Sequence, residues 1–411
     1  MSKKLQALFL FTSIVIIGFA VVNGFGVHAA GNPNNSADNV YTHMQVYSEV
    51  LYHVRAEYVE EPNIDMVTGG ALHGLLESLD ANSSYLSPAE YKAFKETKVA
   101  GKAGIGATIS KRFGYAAVVS VIPGGPADKA GVGAGDIIES INNLSTREMS
   151  LAAVKNLVLG QPGSKLECTV IRTRKVEPQK ITFVREIVNL PGVKEQMMPD
   201  NVGYIKAPAL DKGKAQEIAN RIKALQKDGA KKLILDLRND SEGDEEEGVA
   251  VANLFLDKGT IATLQGQKYT TVTYTADPQK KITDLPLAIL VNRGTAGASE
   301  LVASAIMENA RGDVLGDKTF GEGSIQKLLE VPDGSAVILS VAKYYTPKGK
   351  VIQENGITPN ILVANAADDF VVLSDDDDTP PSDEQEVKPP QKEHDQLRRA
   401  IEVLKRKTQK S

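Results

Sequence analysis

Two stretches carry residues at spacings that suit chemistry: Val291-Asn-Arg-Gly-Thr-Ala-Gly-Ala-Ser-Glu300 and Gly316-Asp-Lys-Thr-Phe-Gly-Glu-Gly-Ser-Ile-Gln326. In the first, the apolar run Leu285 to Val291 enters a turn with Gly294 and Gly297. Leu301, Val302, Ala305 and Ile306 then recur on one helical face. The spacing predicts a strand, a tight turn and a helix. Amides at a helix N-terminus lack intrahelical partners and the dipole there favours negative charge, which is where hydrolases often place a nucleophile and its oxyanion. An ordinary β-α connection has the same pattern, so the rest of the chain must decide.

At 411 residues the chain can hold two or three domains. A net charge of -5 and dense charge blocks that are all acidic argue against nucleic acid as a partner. The single cysteine, Cys168, excludes an intramolecular disulfide and any multi-cysteine metal site, and its alternating surroundings predict a packed strand position. His28, His43, His53, His73 and His394 are scattered without ligand spacing, so no metal and no cofactor is expected.

Lys3 and Lys4 precede a charge-free, mostly apolar segment from Leu5 to Val22, and Val27-His-Ala29 offers small residues at a leader-peptidase site. This reads as an export signal. The segment is also close to the length that spans a bilayer, so a retained anchor stays open, with a periplasmic or membrane-anchored location outside the cytoplasm in either case. Residues 30–40 read as a spacer. From Tyr41, apolar positions recur at helical spacing, break at Pro62 and resume from Met66 to Leu79, after which Ser87 can cap a helix starting at Pro88.

The character changes after about residue 100. Gly104-Ile-Gly-Ala-Thr-Ile109, Pro123-Gly-Gly-Pro-Ala-Asp-Lys-Ala-Gly131 and Gly135-Asp-Ile-Ile-Glu-Ser-Ile-Asn142 are followed by a helical run, Met149 to Leu159, and a strand, Lys165 to Arg172. This resembles a PDZ domain of the circularly permuted bacterial type. Such a domain adds an extended peptide C-terminus to a sheet edge and holds its carboxylate on loop amides, here matched by Gly104, Ile105, Gly106 and Ala107. A module that only braces its neighbour is the competing reading.

From Asn201 an α/β pattern returns, with strands at Val202 to Lys206 and Lys232 to Arg238 and helices at Lys212 to Asp228 and Val249 to Leu256. Asn239 to Gly248 reads as a solvated acidic loop, since its carboxylates lack EF-hand spacing. Past Ala367 the acidic, proline-bearing segment has too little apolar surface to fold, and Leu397, Ile401, Val403 and Leu404 predict a short terminal helix.

The order of Ser78-Leu-Asp80 and Ser83-Ser-Tyr-Leu86, a PDZ domain, Leu235-Asp-Leu-Arg-Asn239, Ser299-Glu300, Thr319-Phe-Gly321 with Gly323-Ser-Ile-Gln326, and Tyr344-Tyr-Thr-Pro347 resembles the C-terminal processing (tail-specific) serine peptidases. The resemblance runs from about residue 40 to about residue 365. It implies a multi-domain α/β protein. Its parts are a signal or anchor at 1–29, a helical N-terminal segment at 41–98, an inserted PDZ domain at 99–186, a ClpP/crotonase-like α/β core at 187–366, an acidic linker at 367–392 and a terminal helix at 393–411. It also implies cleavage by a Ser-Lys dyad, in which a neutral lysine takes the serine proton and a glutamine four residues on orients the lysine.

At the key positions this chain departs from the pattern. The family turn reads Ser-Ala-Ser-Ala-Ser-Glu, and its central serine aligns with Gly297. The base lysine of Thr-Phe-Gly-Lys-Gly aligns with Glu322, while the supporting glutamine is kept as Gln326. Where the family has Asn-Pro-Gly-Gly near the oxyanion site, this chain has Asn239-Asp-Ser-Glu-Gly243, which leaves Gly243 as the oxyanion-loop candidate and puts Glu242 beside it. Ser299 lies two residues past the lost nucleophile, on the opposite side of a helix turning about 100° per residue, and is expected to be structural. Three function classes follow: a proteolytically inactive binder of protein C-terminal tails, paired with itself as a homo-oligomer or with an active paralogue; an active peptidase with Ser299 as displaced nucleophile; and a structural assembly subunit.

Overall fold

The structure, a computed structural model, describes residues 36–99, 103–112, 114–172, 175–363 and 391–408. The leader and most of the acidic linker lie outside the described residues. The chain divides into two compact units, residues 1–68 and 69–411. In the first, α1 spans Ser36–Glu57, so the stretch read as a spacer up to residue 40 is helical from Ser36 onward. Asn63 caps the next helix, α2 (Ile64–Glu77), by accepting from the Met66 amide at 3.0 Å. This helix runs across the division.

The second unit opens with β1 (Ser84–Leu86) and α3 (Pro88–Val99). Ser87 donates its amide and hydroxyl to Glu90, each at 2.8 Å, and the Glu90 amide returns to the Ser87 hydroxyl, the capping box that starts α3 at Pro88. The inserted domain contains β2 (Ala107–Arg112), β3 (Tyr115–Val121), the one-turn α4 (Pro126–Lys129), β4 (Ile137–Ile141) and β5 (Leu144–Ser145). It continues with α5 (Leu151–Val158), β6 (Lys165–Arg172) and β7 (Lys175–Val184). Its sheet runs β2-β3-β4-β6-β7, with β5 paired to β4. Ile105, Ile109, Val118, Ile138, Val154, Leu166 and Phe183 form its core. Cys168 is buried in β6 and burial pushes its thiol up to about 12, as a packed strand position implies.

The α/β core begins with β8 (Lys194–Met198), β9 (Val202–Lys206), α6 (Lys214–Lys227), β10 (Lys232–Asp236), α7 (Glu245–Asn253), β11 (Thr260–Gln265) and β12 (Val272–Thr275). Then follow β13 (Leu287–Val291), α8 (Ala298–Glu308), β14 (Asp313–Gly316), β15 (Ser324–Glu330), β16 (Ala336–Tyr345), β17 (Ile361–Leu362) and α9 (Gln391–Thr408). One sheet runs β17-β14-β13-β10-β9-β8, parallel except for β8. The other runs β1-β16-β11-β12, with β15 also on β16.

Alternation along the central strands assigns the layers. Leu233, Leu235, Leu287, Ile289 and Val291 face α6, α7 and α8, which in turn meet β11 and β16 through Ile261, Leu264 and Tyr344. Ile234, Ala288, Leu290 and Leu315 face the other way, onto Ala400 and Leu404 of α9. Both faces are covered, which is why these strands read as unbroken apolar runs. Gly248 permits the close approach of α7 to α8, since a Cβ there would lie 2.5 Å from the Ala298 carbonyl oxygen.

Candidate active site

β13 delivers the chain to the turn at Asn292–Gly297, and α8 leaves it. The Asn292 side chain shapes the turn, accepting from the Gly294 amide at 3.0 Å and from the Asn239 amide at 2.9 Å. Gly297 is the N-cap of α8, with φ +59° and ψ −122°, a conformation L side chains rarely adopt. A Cβ placed there would meet nothing within 4 Å. The position thus faces open space on a helix N-terminus.

Glu300, fully buried one helical turn on, organises the site. Its Oε2 accepts from the Gly297 amide at 3.0 Å and the Glu322 amide at 2.8 Å. Its Oε1 accepts from the Gly321 amide at 2.9 Å and from the Thr319 hydroxyl. The Gly297 turn and the Thr319–Glu322 loop are therefore held by one carboxyl group. Burial pushes that carboxyl up to about 8, against the four hydrogen bonds, which favour its charged form.

The Glu322 side chain is half-buried and faces Glu245 in the first turn of α7. Burial, with Glu322 adding to it, raises the Glu245 carboxyl above the usual range. Gln326 stands on β15, but its amide group donates to the Ser324 carbonyl at 3.0 Å and the Ser324 hydroxyl at 2.8 Å rather than to Glu322. Asn82 donates to that same hydroxyl at 3.0 Å, while Asp80 accepts from Ser340, tying the Ser78-Leu-Asp80 turn to β15 and β16.

Ser299 is fully buried and donates to Asp240 at 2.7 Å. Its hydroxyl is thus enclosed and committed to Asp240, as a structural role implies.

The segment Asn239–Gly248 corrects the expectation of a solvated acidic loop. Asp240 is buried, and burial pushes its carboxyl well above the usual range, with Glu242 and Asp211 adding to the rise. Glu247 accepts from the Gly213 and Ala215 amides, each at 2.9 Å, and so caps α6. Asp244 is the N-cap of α7, followed by Glu245, Glu246 and Glu247 in its first turn, a dipole-compatible pattern visible in the sequence. Gly243 pairs in a short parallel bridge with Leu210, whose carbonyl oxygen would be 2.5 Å from a Cβ at that position. Among the described residues, no three His, Cys, Asp or Glu side chains converge as metal ligands.

In the inserted domain, Gly104 exchanges both backbone hydrogen bonds with Glu186, so its own amide is committed and leaves the candidate carboxylate loop. The rest of the loop is oriented by its carbonyls. Gly104, Ile105 and Gly106 accept from Glu186, Ala127 and Ile122 respectively. Since a trans peptide opposes its C=O and N–H, the amides of Ile105, Gly106 and Ala107 point away from those three donors.

Comparison with known proteins agrees with this layout. A model of "Peptidase family S41" matches residues 201–363, and one of "PDZ domain" matches residues 118–172. The chain is 31% identical over 367 residues to "Carboxy-terminal processing protease CtpA" of Bacillus subtilis (strain 168), covering 88% of this chain and 78% of the relative. It is 32% identical over 300 residues to "Carboxyl-terminal-processing peptidase 2, chloroplastic" of Arabidopsis thaliana, covering 68% and 57%. The solved structure "Photosystem II D1 C-terminal processing protease" superposes with a TM-score of 0.64 at 27% identity, covering 78% of this chain and 92% of that one. With a glycine-lined β-α turn, a loop clamped to it by Glu300 and an inserted PDZ domain, the chain belongs to peptidase family S41, among relatives that are carboxy-terminal processing proteases.

Proposed function

We propose that this chain is an exported member of the family that binds the C-terminal tails of proteins through its PDZ domain and does not cleave them. The observation that carries the reading is Gly297. The turn that should present the nucleophile has open space in front of it and no side chain to put there. Without a hydroxyl there is nothing to deprotonate, and Glu322 is an acid where the family has an amine base. Losing the nucleophile removes covalent catalysis and leaves only binding and oxyanion donors.

Under this reading residues 99–186 form the tail-binding module and 187–366 the scaffold. The amides of Ile105, Gly106 and Ala107 receive the tail's carboxylate, and the tail extends between β2 and α5. Export rests on the Lys3-Lys4 and Leu5 to Val22 segment. No described helix is long and apolar enough to cross a membrane.

The test uses the full chain and an unstructured protein with an apolar C-terminus. Binding is expected for a peptide with a free carboxylate and not for its C-terminal amide, with no cleavage products on prolonged incubation. Equal affinity for the amide would remove the carboxylate mode, and turnover by the unaltered chain would remove the inactive reading.

A further inference from the structure

Of the residues in the loop that depart from the family pattern, Ser241 and Glu242 hydrogen-bond across to the PDZ domain. Thr108 and Ser120 sit opposite each other on β2 and β3. The Ser120 and Ser241 hydroxyls are 2.5 Å apart, Ser241 donates to Thr108 at 2.8 Å, and Thr108 donates to the Glu242 carboxylate at 2.5 Å. Ser241 has spent its single proton on Thr108, so Ser120 must be the donor to Ser241. The hydroxyls therefore form a one-way chain, Ser120 to Ser241 to Thr108 to Glu242, crossing the domain boundary three times and ending on a carboxylate. Such chains strengthen cooperatively, and a charged acceptor makes the last bond the strongest.

The same face of the PDZ domain meets the other two loops of the candidate active site. A Cβ at Gly294 would lie 3.1 Å from the Val119 carbonyl oxygen of β3. The Arg112 guanidinium of β2 stands 4.8 Å from the centre of the Phe320 ring, two residues before Glu322.

We propose that Ser241 and Glu242 are a polar latch that fastens the β2-β3 face of the PDZ domain onto the loops carrying Gly294 and Phe320. The latch rests on these hydrogen bonds and stands whether or not the chain cleaves or binds tails. A Pro-Gly pair at 241–242, as in the family pattern, offers no side-chain hydrogen bond, so the departure in this loop gains a function as an interdomain fastener.

The chain contains no tryptophan, so Phe320→Trp places a lone indole under Arg112 as a reporter of docking. In that background the indole is expected to be shielded from acrylamide. Thr108→Val and Glu242→Ala, cutting the chain from opposite sides, are each expected to raise quenching, equivalent to an about tenfold loss in the docked-to-undocked ratio, or ~1.4 kcal/mol. Glu242→Gln keeps an acceptor oxygen and is expected to stay shielded. Unchanged quenching in both cutting variants, with circular dichroism showing an intact fold, would overturn the latch, as would release by glutamine as complete as by alanine. Independently, the Ser120→Cys/Ser241→Cys pair is expected to close a disulfide on mild oxidation of the folded chain, and failure to close would also count against the latch.

Discussion

The Glu322 amide donates to Oε2 of Glu300 at 2.8 Å, and the Gly297 amide donates to the same oxygen at 3.0 Å. The turn at Gly297 and the loop at Glu322 are thereby fixed relative to each other by their backbone amides meeting on the Glu300 carboxyl. Their side chains can change without disturbing the frame that holds them.

Removing that frame is expected to be costly. Glu300→Ala leaves the buried donors of Thr319 and Gly321 and the part-buried amides of Gly297 and Glu322 without their acceptor. Unsatisfied buried groups cost roughly 1–3 kcal/mol each before relaxation, so a loss above ~3 kcal/mol is expected in chemical denaturation. A loss under ~1 kcal/mol would show that the loops hold themselves.

The same carboxyl gives a pH dependence of definite sign. Its folded value is pushed up to about 8 from an ordinary 4.5. Between those values the folded state holds a proton that the unfolded state has released, so stability falls as pH rises through this window and levels off above it. Asp240, also raised by burial, adds a slope of the same sign. Melting temperature is therefore expected to drop from pH 5 to pH 8. Glu300→Gln should flatten part of that drop, and an unaltered slope in the variant would assign it elsewhere.

Much of this arrangement was legible in the sequence, and the exceptions have physical causes. Periodicity gave the strands, the helices and the β13-turn-α8 unit because those signals are local. The acidic segment misled because identical residue types serve different ends within ten positions. Asp240 is buried against Ser299, Glu242 reaches the PDZ domain, and Glu247 caps a helix that begins thirty-three residues earlier, at Lys214. Each partner is distant in sequence, so composition reads the stretch as a charge run. Residues 36–40 are helical although the Asn- and Ser-rich composition of the stretch favours a spacer, because the helical pattern that follows extends back to Ser36. Gly104 matches the loop motif, yet its isolated bridge with Glu186 depends on a residue some eighty positions away.

Ser299→Ala tests the structural reading of the remaining serine. It removes a buried donor to Asp240 whose carboxyl burial holds above its usual range, so a neutral Asp240 tolerates the loss better than a charged one. A destabilisation of about 0.5–1.5 kcal/mol is expected, with no change in any hydrolytic rate. A fall in a measurable rate would reinstate Ser299 as a nucleophile.

At α9, Leu404 is fully buried against the outer face of the parallel sheet, and Gln396 accepts from Arg238 at 3.2 Å while Arg238 holds Asp236. Leu404→Ala is expected to cost ~2–5 kcal/mol of docking and to expose residues 391–408 to limited proteolysis before the core is cut. Cleavage of core and helix at equal rates would show that α9 is integral to the fold.

Restoring the dyad is the most demanding test. Gly297→Ser meets no steric obstacle, since a Cβ there has nothing within 4 Å. It must keep a φ of +59°, at a cost of about 1–3 kcal/mol. Glu322→Lys places an ammonium beside Glu245, which favours the charged lysine and withholds the neutral form that a base needs. Gln326, turned toward Ser324, gives it no orientation. The double variant is therefore expected to cleave an unstructured protein weakly and only at alkaline pH. Adding Glu245→Gln should move the rising limb of its pH profile toward neutrality. A further Ser241→Pro/Glu242→Gly change removes the carboxylate next to Gly243 in the chain; under the proposed oxyanion role of that loop it should raise the rate about tenfold or more. An inert double variant whose derivatives also stay inert would place the obstacle to cleavage in the scaffold rather than in these side chains.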